Sequence, residues 1–316
     1  MSSSTDKNNG SNTNVQQDEV LSHGKTIISN LLAGATAGGL AKSAIAPFDR
    51  CKISFQINQT PFSAKAAFQF LKNVTKNNGF LALWRGNSAS MARVLPYAAI
   101  QFASHEQWKR VLGIDQSNSL SKDEFEYRRF IAGSLAGVTS QSLTYPLDLA
   151  RARMAVTHDS EYATLKQVFR KTYREEGFKG FYRGYVPTFL GVIPYAGASF
   201  FAYESLKQWY SSQPGSTGKP STIVLLSFGG ISGFCGQSLS YPLDIVRRRM
   251  QTDVITKQNY DSIIGTLKSI YKNEGIKGGF FKGLSMNWIK GPIAVGISFA
   301  TYDGVNDFLK RILSRI

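Results

Sequence analysis

The chain has 316 residues, enough for two ordinary soluble domains or one larger one. Its 37 Lys and Arg against 21 Asp and Glu leave a formal charge of +16, which points to a polyanionic partner: nucleic acid, an anionic membrane or a phosphorylated solute. Two cysteines, Cys51 and Cys235, and three histidines are too few and too scattered for a disulfide framework or a zinc cluster. An apolar fraction of 42% and a mean hydropathy of −0.17 suit a soluble protein, but that average blends two kinds of sequence.

In chain order, residues 1–24 are polar and rich in Asn and Ser, which predicts a disordered tail; they carry acids and lack arginine and an apolar core, unlike a secretory or transit peptide. Residues 26–46 then hold a single charge over 21 positions, about the length that crosses a bilayer core. Comparable spans follow at 87–104, whose one charge is Arg93, at 125–147, 185–203 and 222–243, and at 284–302, whose one charge is Lys290. After the first span comes an amphipathic stretch, SAKAAFQFLKNVTKNNG, with apolar residues at helical spacing, and its counterparts follow the third and fifth. The segment PGSTGKPS at 214–221 reads as a connector, since its glycines lack phosphate-loop spacing.

Three copies of one unit account for this order. GATAGGLAKSAIAPFDRCK (34–52), GSLAGVTSQSLTYPLDLAR (133–151) and GGISGFCGQSLSYPLDIVR (229–247) align without gaps. Their prolines Pro47, Pro146 and Pro242 recur 99 and 96 residues apart. A second triple, NGFLALWRG (78–86), EGFKGFYRG (176–184) and EGIKGGFFKG (274–283), comes after each. The domains are therefore read as 25–112, 125–211 and 221–313. The pairs Gly34/Gly38, Gly133/Gly137 and Gly229/Gly233 predict close helix contacts. Segments 47–86, 146–184 and 242–283 hold 22 basic and 10 acidic residues, a net +12 of the chain's +16. The positive-inside rule puts these connections on one interior side and both termini on the other. Basic residues dispersed at repeat-related positions argue against nucleic acid as the partner.

The repeated P-x-[DE]-x-x-[KR] and [DE]-G-x(4)-[WFY]-[KR]-G resemble the mitochondrial carrier family over about residues 25 to 313. The resemblance implies an all-α membrane protein: six transmembrane helices in a threefold pseudosymmetric bundle with three short amphipathic matrix helices. Asn78 stands where the first copy should have an acid, and the third copy has one extra residue before FKG. By the resemblance, Asp49, Asp148 and Asp244 pair with Arg151, Arg247 and Lys52 in a gate that shuts the matrix side. A ring of alternating signs avoids leaving a buried charge unpaired; helix-local pairs between each acid and the base three residues on are the alternative. Gln56 and Gln251 match the glutamines that brace this ring, whereas Ala155 breaks the pattern.

The outer gate is implied by HEQWK (105–109), YESLK (203–207) and YDGVN (302–306). It pairs Glu106 with Lys207 and Asp303 with Lys109, leaving Glu204 opposite Asn306. Seven residues after Gly86, Gly184 and Gly283 stand Arg93, Gly191 (with Val192 beside it) and Lys290, the positions matching the family's substrate contacts. Lys42, Gln141 and Gln237 stand five residues before the prolines, and Lys42 adds a cation to the site. For Lys42 a structural role, and for Gly191 helix packing, are the alternatives.

Cations from copies one and three with a small slot from copy two suit a solute with phosphates at one end and a flat ring at the other. The runs AKSAIAPFDRCKISFQ, YPLDLARARMAV and KGLSMNWIKGPIAVGISF resemble the family's coenzyme A carrier subgroup. That likeness implies exchange of coenzyme A and dephospho-coenzyme A for adenine nucleotides, adenosine 3′,5′-diphosphate among them. It also implies a monomer in the inner mitochondrial membrane, surrounded by lipid that includes cardiolipin, with no cofactor, no metal and no covalent catalysis. A general adenine nucleotide or ATP-Mg/phosphate carrier is the first alternative, and a non-transporting basic protein is the second.

Overall fold

The computed structural model describes residues 9–114, 121–157, 162–213 and 220–313. Among them there is no strand. The long helices are α1 (Asn9–Ile57), α3 (Asn87–Val111), α4 (Lys122–Val156), α6 (Tyr185–Ser211), α7 (Thr222–Thr256) and α9 (Leu284–Leu313). Between the members of each pair lie the short helices α2 (Ala64–Asn78), α5 (Leu165–Gly180) and α8 (Ile263–Gly275). Even the shortest long helix has 25 residues, which at 1.5 Å per residue exceeds a ~30 Å hydrocarbon core. Only α6 and α7 among the described residues are both long and apolar enough to cross a membrane by composition.

The chain divides into two compact units, one formed by the helices up to Ile45 and from Gly291 onward, the other by Ala46–Lys290. In the second unit α3 packs along α4, and α6 along α7. In the first, Gly34 approaches the Tyr302 ring of α9: a Cβ there would lie 4.0 Å from Cε2. The tail expectation needs revision from residue 9 onward, because α1 is helical from Asn9. Extending a nucleated helix costs far less than starting one. Residues 1–8 and the connector residues 214–219 lie outside the described residues.

The short helices start where their sequences provide a cap. Ser63, Thr164 and Ser262 accept from the backbone N–H groups of Ala66, Gln167 and Gly265 at 3.1, 3.3 and 3.1 Å. Copy three absorbs its additional residue in a π-helical turn, Ile276–Phe280, where copy one has a 3₁₀ turn, Phe80–Trp84. A π turn takes up one inserted residue without displacing the downstream helix.

The glycine pairs do not make the close contacts expected of them. Among the described residues, a Cβ on Gly38, Gly133, Gly137, Gly229 or Gly233 would meet nothing within 4 Å. The buried small-residue stripe runs one residue earlier: Ala33, Ala37 and Ala41 in α1, Ala132, Ala136 and Ser140 in α4, and Ser232 and Ser240 in α7. Its tightest point is Gly236 in α7, where a Cβ would stand 2.7 Å from the Tyr195 carbonyl of α6.

Candidate functional site

The prolines Pro47, Pro146 and Pro242 lie inside α1, α4 and α7. The segments after them meet the loops that lead into α3, α6 and α9. Gly86 and Gly184 have φ of 86° and 79°, a left-handed conformation that L side chains disfavour. They also sit under a neighbour: a Cβ on Gly86 would lie 2.9 Å from the Arg151 carbonyl, and one on Gly184 3.0 Å from that of Arg247. Gly283 packs against the third gate base, 3.8 Å from Lys52 Cγ by the same measure. Each motif glycine thus lies against an expected gate base of the following copy, with copy three closing on copy one.

Two of the three expected matrix pairs are formed. Asp49, which is buried, is paired with Arg151 and accepts from Lys290 Nζ at 2.7 Å. Asp148, 2% exposed, accepts from Arg247 at 2.6 Å, from Arg248 at 3.3 Å and from the Gln251 amide at 2.9 Å. The third expectation, Asp244 with Lys52, is not met: among the described residues Asp244 has no ion pair within 4 Å. Lys52 is buried with its Nζ 5.0 Å from the centre of the Tyr241 ring, within electrostatic reach of Lys290 and Arg248 as well as Asp244.

Of the brace residues, Gln251 donates to the Tyr145 hydroxyl at 2.9 Å as well as to Asp148. Gln56 donates to the Tyr241 hydroxyl at 3.2 Å, so it steadies the ring beneath Lys52 rather than an ion pair. The two tyrosines in turn donate to the carbonyls of Arg183 and Lys282, at 2.9 and 2.7 Å. Copy one replaces this tyrosine with Ala46, and copy two replaces the glutamine with Ala155. Both alanines line one small cleft together with Asp49, Arg50, Arg85 and Arg151.

The outer gate pair within Ala46–Lys290 is not made. Glu106 binds Lys109 of its own helix at 3.2 Å instead of Lys207, and Glu204 has no ion pair among the described residues. An (i, i+3) partner costs no approach of two helices. His105, in place of a phenol, stands 3.9 Å from Glu106. Asp303 is exposed on α9.

The two cations expected at the substrate site each reach an acid of the expected ring. Arg93, 23% exposed at its side chain, donates to Gln141 at 2.6 Å and Thr144 at 3.1 Å, and lies 3.8 Å from Asp148. Its guanidinium is 4.8 Å from the centre of the Tyr97 ring, within cation–π range. Lys290 reaches Asp49, as above. Gly191 is half-buried, and a Cβ there would touch Leu243, the residue before Asp244, at 3.6 Å. Val192 is 49% exposed, so its side chain diverges from that contact. Lys42 lies exposed on α1 in the other compact unit.

Sequence reasoning missed three buried arginines that clamp the copies together. Arg153 donates its Nε to the Gln251 carbonyl, Arg249 to that of Gln56, both at 3.1 Å, and Arg50 to that of Ala155 at 3.3 Å. All three carbonyls belong to the brace positions. Arg153 also pairs with Glu176 at 2.6 Å, and Arg249 with Glu274. Copy one has Asn78 in the glutamate's place, and there Arg50 donates to the Ala82 carbonyl. A second basic residue two positions after Arg151 and Arg247 was the available signal; copy one has Ser54 at that position and moves the arginine to three residues after its proline. Arg183 and Lys282 reinforce the same junctions, on Asp253 at 2.5 Å and on the Asn58 carbonyl at 2.8 Å. Burial lowers the pKa of the Lys282 ammonium, and the Glu274 carboxylate opposes that shift.

A family profile described as "Mitochondrial carrier protein" matches residues 23–116, 122–214 and 218–313. The chain is 53% identical over 291 residues to the mitochondrial coenzyme A transporter SLC25A42 of Xenopus laevis, covering 91% of this chain and 88% of the relative. It is 52% identical over 290 residues to the human protein of that name, covering 92% and 91%. Against the mouse mitochondrial adenyl nucleotide antiporter SLC25A24 the identity is 35% over 281 residues, covering 88% of this chain and 58% of the relative. Three matched repeats and relatives of more than half identity over nine-tenths of its length make this chain a member of the mitochondrial carrier family.

Proposed function

We propose that the chain is an antiporter of the inner mitochondrial membrane that exchanges coenzyme A and dephospho-coenzyme A for adenine nucleotides, such as ADP or adenosine 3′,5′-diphosphate, by alternating access. The observation that carries this reading is the 53% identity, over most of both chains, to a protein named for coenzyme A transport. The chemistry of the site agrees: Arg93 and Lys290 are partly exposed cations on separate copies, suited to a ligand with phosphates at more than one position. Transport requires no bond to be made or broken, so no cofactor, metal or nucleophile enters the mechanism.

In this reading α1, α3, α4, α6, α7 and α9 all span the bilayer as a monomeric, threefold pseudosymmetric bundle. Contacts that recur from copy one to two, two to three and three to one support the symmetry. Large exposed apolar residues on the long helices, among them Phe102, Phe130, Phe200, Ile223 and Phe299, support a lipid-facing surface. Both termini face the intermembrane space, because the basic connections face the matrix; the charge serves that topology and the solute rather than nucleic acid. Formed matrix pairs beside an unmade Glu106–Lys207 pair support a resting state with the matrix side shut.

Likeness to the adenyl nucleotide antiporter favours a second reading, a general adenine nucleotide carrier. Exchange in proteoliposomes loaded with ADP, with external coenzyme A, dephospho-coenzyme A, ADP and ATP-Mg compared in parallel, separates the two. Uptake of coenzyme A is expected to exceed that of ATP-Mg. Exchange of ATP-Mg without coenzyme A would establish the second reading, and exchange of neither would remove both.

A further inference from the structure

Arg93 of copy one sits in a seat supplied by copy two. Its Nε donates to the Thr144 hydroxyl at 3.1 Å and its Nη2 to Gln141 Oε1 at 2.6 Å. The Tyr97 ring of its own helix faces the guanidinium, with its centre 4.8 Å away. The Thr144 hydroxyl spends its proton on the Ser140 carbonyl at 2.7 Å, so its oxygen is left to accept. Gln141 turns its carbonyl oxygen to Arg93, and its buried Nε2 finds no acceptor among the described residues. Such a buried donor is unfavourable, so the contact with Arg93 decides how the amide faces. Both acceptors are neutral. They fix the direction of the guanidinium without cancelling its charge, whereas the Asp148 carboxylate stands 3.8 Å away, beyond hydrogen-bond distance. The positions equivalent to Gln141 and Thr144 are Lys42 and Ile45 in copy one, and Gln237 and Ser240 in copy three. Among the described residues the amide–hydroxyl pair meets a guanidinium in copy two alone.

We propose that Gln141 is a positioning residue of the substrate site: together with Thr144 it holds the Arg93 guanidinium in one orientation, so that the cation is already ordered when a phosphate of the substrate arrives. This rests on the reading of the chain as a carrier of coenzyme A and adenine nucleotides. An arginine side chain has many rotamers, and ordering it at the moment of binding would oppose affinity. The seat occupies two of the five N–H donors of the guanidinium and leaves the remainder, on Nη1 and Nη2, for phosphate oxygens. Arg93 therefore presents a directed fork rather than a point charge.

The test is coenzyme A uptake by the full-length protein in proteoliposomes loaded with ADP, with KM and maximal rate measured separately. Gln141→Leu removes the acceptor at similar volume and is expected to raise KM on the order of fivefold, the scale of ordering one long side chain, with the maximal rate within about twofold of the parent. In an Arg93→Lys background, which lacks the fork, the same substitution is expected to leave KM within about twofold. An unchanged KM for Gln141→Leu overturns the proposal, as does a loss confined to the maximal rate. An equal rise in KM in the Arg93→Lys background overturns it too, because Gln141 would then act without the guanidinium. Should Gln141→Leu not fold, Thr144→Val removes the other acceptor and is read by the same criteria. A parent protein that exchanges neither coenzyme A nor ADP would instead remove the carrier reading itself.

Discussion

Replacing Arg249 with methionine tests the arginine clamp at the junction of copies three and one. Methionine fills similar volume but donates nothing. Arg249 is 1% exposed, and its loss removes a hydrogen bond to the Gln56 carbonyl at 3.1 Å, another to the Tyr260 hydroxyl at 3.1 Å, and the ion pair with Glu274. Breaking a buried ion pair costs ~3–5 kcal/mol when the other charge is left alone. Here Lys282 still neutralises Glu274, which reduces that cost, while the Gln56 carbonyl adds ~1 kcal/mol as a buried acceptor without its donor. A net loss of about 3 kcal/mol, at ~2 °C per kcal/mol for a chain of this size, lowers the unfolding midpoint by roughly 6 °C. Thermal unfolding in detergent, followed by tryptophan fluorescence, measures it. Arg50→Met uncovers only neutral carbonyls and is expected to cost about half as much. Adding Glu274→Gln to Arg249→Met is expected to deepen the loss, because it leaves the buried Lys282 ammonium without its carboxylate. A midpoint for Arg249→Met indistinguishable from the parent, or Arg50→Met as the more damaging change, would refute the reasoning.

Arg93→Ala or Lys290→Ala is expected to abolish most coenzyme A exchange in proteoliposomes while the protein still inserts and unfolds cooperatively; near-normal uptake takes that residue out of the site. Gly184→Ala forces a side chain into a left-handed backbone 3.0 Å from the Arg247 carbonyl, so a loss of ~1–3 kcal/mol is expected in thermal unfolding, and an unchanged midpoint counts against the close approach. Ala46→Tyr combined with Ala155→Gln should install at the first junction the hydroxyl–amide contact found at the other two. The double variant is expected to unfold at a higher temperature than either single one, and equal midpoints would show that the contact does not form.

The repeat carried most of the architecture into the sequence, because Pro47, Pro146 and Pro242 and the motif glycines mark positions where backbone chemistry leaves few alternatives. The same motif marks the acids two residues after each proline; of the ring pairs that the family resemblance implies for them, those of Asp49 and Asp148 are made. What failed depended on contacts between copies. Glycine spacing suggested close helix packing at Gly34, Gly133 and Gly229, yet the buried stripe lies one position earlier, since spacing along one helix does not say which face meets a neighbour. Lys52 was expected on Asp244, but its ammonium lies over the Tyr241 ring instead. Arg50 escaped notice because alignment compares like positions, and its role belongs to a different position in the other copies. The helical start at Asn9 escaped as well, since composition measures what a segment can bury and not what an adjoining helix can extend into.

The junction of copy three with copy one also has a temporal meaning. The Gln56 carbonyl receives its donor from Arg249, the Asn58 carbonyl from Lys282, and Asp49 its second cation from Lys290. These partners are separated by 193, 224 and 241 residues of chain. During synthesis, buried groups of the first copy must therefore wait without their native partners until almost the whole chain has emerged. Contacts of such long separation carry a loop-closure cost that local helix formation does not meet, so assembly ends on its slowest step. A chain cut after the second copy would leave the Gln56 and Asn58 carbonyls without these donors and Asp49 without its Lys290 contact.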